Sequence, residues 1–239
     1  DGKLFWQFLE ATQPKELAKL KDRPNWQRLL LERLNKKIKK DSVLAVLKKG
    51  LDIDDAHFDL LYRLPYNDLN PDVVANFAAN IFSVTRQVHY SESDTFKSVD
   101  MVLFVNGLAI ATLELKNPWT GQNVHNAVKQ YRTDRDPREP LFEFGRCLVH
   151  FAVDPDEAYM CAQLAGNDSN FLPFNKGFNF GKGNPVNPKG HKTAYLWEDI
   201  LRRRSLTNII EQFAKFTVEK DKKTGEERKA LFFPRYHQL

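Results

Sequence analysis

Val99-Asp-Met-Val-Leu-Phe-Val105, then Asn106-Gly107, then Leu108-Ala-Ile-Ala-Thr-Leu-Glu-Leu-Lys116 is the stretch on which the fold turns. Two apolar runs of strand length flank Asn-Gly, a strong short-range hairpin signal. Both runs are apolar enough to be central strands of a sheet. The first holds a lone acid, Asp100, near its start, and the second ends in Glu114-Leu115-Lys116. Glu114 and Lys116, two apart, share one strand face. Register decides whether Asp100 joins them. A two-residue loop pairs Val105 with Leu108, sets Asp100 opposite Leu113 and turns Glu114 to the other side. A three-residue loop, Asn106 to Leu108, pairs Asp100 with Glu114, and Gly107 suits the left-handed position and bulge of such loops. A shared site therefore requires a bulged or three-residue hairpin.

Two carboxylates and an ammonium are the parts of a metal-dependent phosphodiesterase site. Mg2+ takes oxygen ligands and keeps several waters. Asp100 and Glu114, with the backbone carbonyl of Leu115 as a third ligand, suffice beside a substrate phosphate. Metal-bound water deprotonates more easily, and the ion neutralises charge on the attacked phosphate. Lys116 can orient the water, help deprotonate it, or stabilise the developing charge. The bland alternative is a strand-end salt bridge of Glu114 or Lys116. Against it, both residues interrupt a very apolar strand, where unpaired charge is costly.

The 239 residues, 42% hydrophobic and 28% charged, fit a soluble globular protein with one large core or two small ones. No run approaches the ~20 apolar residues needed to span a bilayer, so no membrane partner is expected. No signal peptide opens the chain, and Asp1-Gly2-Lys3 reads as an internal start. Cys147 and Cys161 lie in apolar surroundings and read as reduced, buried thiols, which points to a cytoplasmic location. The net charge of +5 is uneven: residues 15–49 hold twelve Lys/Arg against four Asp/Glu. That suggests an anionic partner such as nucleic acid, or else a solvated helix face.

Residues 1–50 read as helical, with Trp26, Leu30, Leu34 and Ile38 at four-residue intervals. Further helices are expected over His57–Arg63, Asp72–Ala79 (capped by Asn70 or Asp72), Gln122–Tyr131 and Trp197–Phe216. Strand alternation starts at Ser83, and strands are also expected within Arg146–Val153 and Tyr159–Leu164. Phe171–Thr193 reads as a long structured loop and Glu219–Lys229 as an exposed, charged turn. The order strand, strand, strand, helix, strand predicts an α/β (α+β) fold: a mixed β-sheet flanked by helices. A helical subregion over 1–80 precedes it. The core and its helices fill 81–218, and a linker occupies 219–239.

With that hairpin in place, the chain resembles the PD-(D/E)xK nuclease superfamily. More closely, it resembles the N-terminal nuclease region of the motor (R) subunit of type I restriction endonucleases. The matching stretches, in order, are Ser98 to Leu108, Glu114-Leu-Lys-Asn-Pro118, Asn126-Ala-Val-Lys-Gln-Tyr131, Phe171-Leu-Pro-Phe-Asn-Lys-Gly-Phe-Asn179, Tyr195-Leu-Trp-Glu198 and Phe233-Pro-Arg-Tyr-His-Gln-Leu239. They span most of 80–239 and fade before residue 60. The resemblance implies a PD-(D/E)xK nuclease-like fold, Asp100 and Glu114 as metal ligands, and Lys116 as the catalytic lysine. It implies Mg2+-dependent endonucleolytic cleavage of double-stranded DNA by a type I site-specific deoxyribonuclease, in restriction of foreign DNA. Methyltransferase and specificity subunits are the implied partners. The family's Gln-x-x-x-Tyr helix motif helps position the DNA backbone. Tyr131 fits its tyrosine, but Ala127 stands at the glutamine position, with Gln130 and Asn126 as nearby amides. Gln130 and Tyr131 are thus the DNA-positioning candidates, against the reading of an ordinary polar helix end.

Phe233–Leu239 resembles the segment that enters a helicase-like ATPase domain, with Gln238 similar to an adenine-reading glutamine. ATP is therefore implied for the full-length subunit only. The chain has no G-x-x-x-x-G-K-[ST], and Gly177 to Gly183 is a lookalike with the wrong spacing. The six histidines are scattered without zinc-site spacing. Arg202-Arg203-Arg204 can meet phosphate or solvent equally well. Phe171, Phe174, Phe178 and Phe180 can stack on bases or pack under their own loop. Two rival readings stand beside the nuclease domain: a non-catalytic DNA-binding or subunit-docking module of the same fold, and another PD-(D/E)xK nuclease such as a repair enzyme or junction resolvase.

Overall fold

The computed structural model describes residues 1–91, 93–220 and 227–239. The N-terminal region is helical as expected: α1 (Gly2–Thr12), α2 (Pro14–Lys21) and α3 (Trp26–Lys49). Leu30, Leu34 and Ile38 form the buried stripe of α3. The helix is interrupted at Ser42 (φ 79°, ψ 161°), beyond which Val43, Leu44, Val46 and Leu47 are buried. At the break the Val43 N–H leaves the helix ladder and donates to the Gly145 carbonyl at 2.7 Å.

The helix expected over His57–Arg63 is absent. A small hairpin, β1 (Leu51–Ile53) and β2 (Ala56–Phe58), turns at Asp54 with φ 54° and takes in only His57 and Phe58 of that span, and residues 59–63 are neither helix nor strand. Ala56 and Phe58 are buried while His57 points out, a period of two that so short a run does not distinguish from a helical one. Helix α4 (Pro71–Ala79) follows, capped by the Asn70 side chain, which accepts from the Asp72 and Val73 N–H groups.

The sheet comprises β3 (Phe82–His89), β4 (Ser98–Val105), β5 (Leu108–Leu115), β6 (Val149–Val153), β7 (Ala158–Cys161) and β8 (Leu172–Pro173), in that spatial order. Only β5 and β6 pair in parallel, joined through helix α5 (Val124–Thr133), so the sheet is mixed. Val124, Ala127, Val128 and Tyr131 of α5 pack on one face of the sheet with Val99 and Val102. The other face buries Val105, Ile110, Leu113 and Phe151 in one core with the N-terminal helices and the C-terminal segment. Both cysteines are buried and free.

The helix expected over Trp197–Phe216 is broken. Two π-helical turns, Leu196–Ile200 and Ile209–Phe213, flank the short α6 (Arg203–Asn208). Phe216 belongs to a strand, β9 (Lys215–Lys220), paired antiparallel with β10 (Glu227–Phe232). The charged turn expected over Glu219–Lys229 is therefore in part strand, and residues 221–226 lie outside the described residues. Phe233 then stacks edge-on against Phe151.

The central hairpin combines the two registers weighed from the sequence. Asn106 (φ 50°) and Gly107 (φ 80°) form a two-residue turn with Val105 opposite Leu108 and Phe104 opposite Ala109. The register then shifts: Leu103 faces Ala111, Val102 faces Thr112 and Met101 faces Leu113. Ile110 is the extra residue, fully buried, its carbonyl accepting from the Leu148 N–H at 2.8 Å. The bulge sits at Ile110 and not at Gly107. Continued by one residue, the shifted register sets Asp100 opposite Glu114.

Asn106 ties this hairpin to the N-terminal region. Its side-chain oxygen accepts from the Ile81 N–H at 2.7 Å, and its amide donates to the Leu60 carbonyl and to Asn80 Oδ1, both at 2.9 Å. Asn106→Ala removes the partner of the Ile81 N–H and of the Leu60 carbonyl, and it keeps a positive φ that alanine disfavours. We expect a loss of about 3 kcal/mol, seen as a lower urea midpoint at unchanged slope. A midpoint equal to wild type would refute the hub.

Candidate active site

Asp100 lies near the start of β4 and Glu114 near the end of β5, so the strand pair itself brings them together. Asp100 Oδ2 accepts from the Leu115 N–H at 2.8 Å, and Oδ1 accepts from Gln87 Nε2 at 3.1 Å. Gln87 reaches across from β3, where its own backbone takes φ 51°.

Glu114 is completely buried. Its Oε1 accepts a hydrogen bond from Nε of Arg135 at 2.7 Å, and Nη2 ion-pairs with the same oxygen at 2.7 Å. Arg135 is itself held on two further sides, donating from Nη2 to the Ser98 carbonyl at 2.9 Å and from Nη1 to the Tyr90 hydroxyl at 3.2 Å. Glu114 Oε2, by contrast, is buried with no partner. Burial pushes the Glu114 carboxyl up to about 7; the Asp100 charge adds to this, and Arg135 and Lys116 oppose it without winning. Arg135 serves only one of the two oxygens, which is why its attraction does not offset the desolvation.

Lys116 shares the Glu114 side of the strand, and its Nζ donates to Gln130 Oε1 at 2.5 Å. Gln130 thus reaches the site through Lys116. Tyr131 does not: it is fully buried, with its hydroxyl 2.8 Å from Thr112 Oγ1. Its ring packs beneath the site against Phe142 and Phe171. The same Thr112 hydroxyl lies 2.7 Å from His150 Nδ1, and burial pushes that imidazole down to about 3, so it stays neutral. The Leu115 N–H is spent on Asp100, while its side chain is exposed. Gln238 is not part of this cluster; its side-chain oxygen accepts from the Arg235 N–H and closes its own turn.

Among the described residues, no three His, Cys, Asp or Glu side chains cluster closely enough to form a closed metal cage. Two hard carboxylates, one with an unpartnered buried oxygen, fit a hard dication that keeps waters and completes its shell on substrate phosphate. They do not fit structural zinc.

Sequence reasoning missed Arg135, Tyr90 and Gln87. A carboxylate inside an apolar strand implies a buried cation, but nothing local marks Arg135 among the many arginines. The basic helices over 15–49 are also less free than their charge suggests. Lys19, Arg23, Arg28, Lys37 and Lys39 each pair with an acid. Of the four loop phenylalanines, Phe174 is core, while Phe178 and Phe180 are exposed.

A six-stranded mixed sheet flanked by helices, with a helical N-terminal region, is consistent with a nuclease-like fold. Residues 3–169 match the family described as type I restriction enzyme R protein N terminus, and the chain belongs to that family. It is 24% identical over 141 residues to a protein of Methanocaldococcus jannaschii provisionally named a type I restriction enzyme MjaIXP endonuclease subunit. The match covers 50% of this chain and 14% of that relative. Among the described residues no helix is long and apolar enough to cross a membrane.

The buried carboxyl gives a signed pH dependence. Unfolded, Glu114 ionises near its ordinary 4.5; folded, it ionises at about 7. Below 4.5 it is protonated in both states and contributes nothing. Above about 7 it is ionised in both, and the folded state carries the full desolvation penalty. Without added metal, wild-type stability should therefore fall relative to Glu114→Gln as pH rises through this window. Urea melts at stepped pH measure the difference, and a difference independent of pH would contradict the assignment.

Proposed function

We propose that this chain is the nuclease domain of a type I restriction R subunit and cuts double-stranded DNA with Mg2+. The observation that carries the reading is the unpartnered Oε2 of buried Glu114, held by Arg135 opposite Asp100 and beside Lys116. Asp100 and Glu114 would hold the ion, with the Leu115 carbonyl as a further oxygen ligand. When bound, the ion supplies charge neutralisation at the phosphate and a more acidic water. Lys116 places an ammonium where the attacked phosphate gains charge, and Gln130 fixes its direction. Arg135 keeps Glu114 in a single orientation, so no carboxylate rearrangement is needed when substrate arrives. In this reading the methyltransferase and specificity subunits choose the DNA. ATP-driven translocation, with Gln238 near the nucleotide, belongs to the rest of a longer cytoplasmic subunit.

The test uses the assembled restriction complex on supercoiled plasmid. Asp100→Asn, Glu114→Gln and Lys116→Ala should each lower cleavage by about a hundredfold or more while ATP hydrolysis continues. Wild-type cleavage by the Glu114→Gln enzyme would refute the reading and leave a DNA-holding or docking module of the same fold.

A further inference from the structure

Next to Lys116 the chain forms an open groove that the cleavage chemistry leaves unused. Lys116, Trp119, Val153, Asp154, His191 and Trp197 line it, and the Asp154 carboxylate is engaged by the N–H groups of Val124, Asp156 and Glu157. Trp119 is 94% exposed and Trp197 45%. The other two tryptophans behave differently: Trp6 and Trp26 pack edge to face against each other on the main core. Trp119 does not sit on a slack loop. The turn Pro118–Thr120 starts on a proline, the Asn117 side chain accepts from the Trp119 N–H at 3.0 Å, and the Asn117 carbonyl accepts both the N–H and the hydroxyl of Thr120. Gly121 closes the turn at φ 71°. The backbone N–H of Trp197 donates to the Ala194 carbonyl at 3.2 Å.

Two exposed aromatic faces lining one groove call for a flat partner. The cation lining the same groove calls for an anion. A nucleotide supplies both: a π-face for the tryptophans and a phosphate for Lys116. A base inside an intact duplex has its faces covered by its neighbours and cannot enter. Unstacking it carries an energetic penalty that is smallest where the base is already unpaired.

We propose that the groove between Trp119 and Trp197 is a subsite for an unpaired nucleobase of the strand being cut. The base stacks on the tryptophans and its phosphate lies towards Lys116. This rests on the nuclease reading of Lys116 but is tested without cleavage. The subsite makes the domain select DNA that is locally unpaired beside the scissile phosphate, independent of base identity.

The test compares two labelled duplexes of one sequence, one fully paired and one carrying a single extra unpaired thymine. Binding is followed by fluorescence anisotropy with Ca2+ in place of Mg2+. Wild type should bind the bulged duplex about tenfold more tightly. Trp119→Ala and Trp197→Ala should each reduce that ratio to near one, and Trp119→Phe should retain most of it. Trp119 is a surface side chain, so its variants report on binding even where Trp197→Ala unfolds. A wild-type ratio near one would overturn the subsite. So would equal losses on both duplexes, or Trp119→Ala binding that keeps the wild-type ratio, which would make the tryptophans a protein-docking surface. Bulge preference that persists when plasmid cleavage proves independent of Glu114 would sink the nuclease reading and leave the subsite. Preference lost with Glu114-dependent cleavage intact would sink the subsite alone.

Discussion

Glu114 has no solvent exposure and half of its hydrogen-bonding capacity unused, and the architecture around it follows from keeping that side chain in place. A buried carboxylate is tolerated only with a counter-charge. Arg135 supplies it, and Arg135 in turn depends on the Ser98 carbonyl, the Tyr90 hydroxyl and the Tyr90 ring, 5.5 Å from its guanidinium carbon. That chain of contacts ties the end of α5 to β4 and to the end of β3. It satisfies one carboxylate oxygen and leaves the other without a partner, the oxygen that the proposed cation would take.

The second constraint is register. The primed turn at Asn106-Gly107 alone would set Asp100 opposite Leu113 and separate the two acids. The extra residue at Ile110 restores the pairing, and the Ile110 carbonyl is used by Leu148 at the start of the parallel strand. The bulge thus opposes the acids and helps dock β6 beside β5. Asn106 fastens the turn to Leu60, Asn80 and Ile81, so the N-terminal region and the sheet share one core and are joined by polar contacts as well.

How much of this the sequence displays depends on the range of the interaction. The hairpin, α4 with its Asn70 cap and α5 are legible because turn chemistry, capping and periodicity are local. The requirement for a bulged or longer hairpin followed from parity alone. The position of the bulge did not, since Ile110 is as apolar as its neighbours and would be buried in either register. The helix expected from His57 gives way to strand at its first two residues, because a three-residue strand carries too little pattern to show in the sequence. The break within 197–216 was missed because π-turns keep an apolar stripe much like that of an α-helix. Asp100, Glu114 and Lys116 stood out as charges in apolar strands. Arg135 and the burial of Tyr131 are tertiary facts without a local signature.

The central claim is that Asp100 and Glu114 together receive a divalent cation. Paramagnetic broadening by substoichiometric Mn2+ in the NMR spectrum of this chain tests it directly, because it detects weak binding and reports location. The account predicts that the Leu115 amide and the Arg135 side-chain Nε–H broaden first, and that Glu114→Gln abolishes this selectivity. Broadening centred elsewhere, or unchanged in Glu114→Gln, would contradict it.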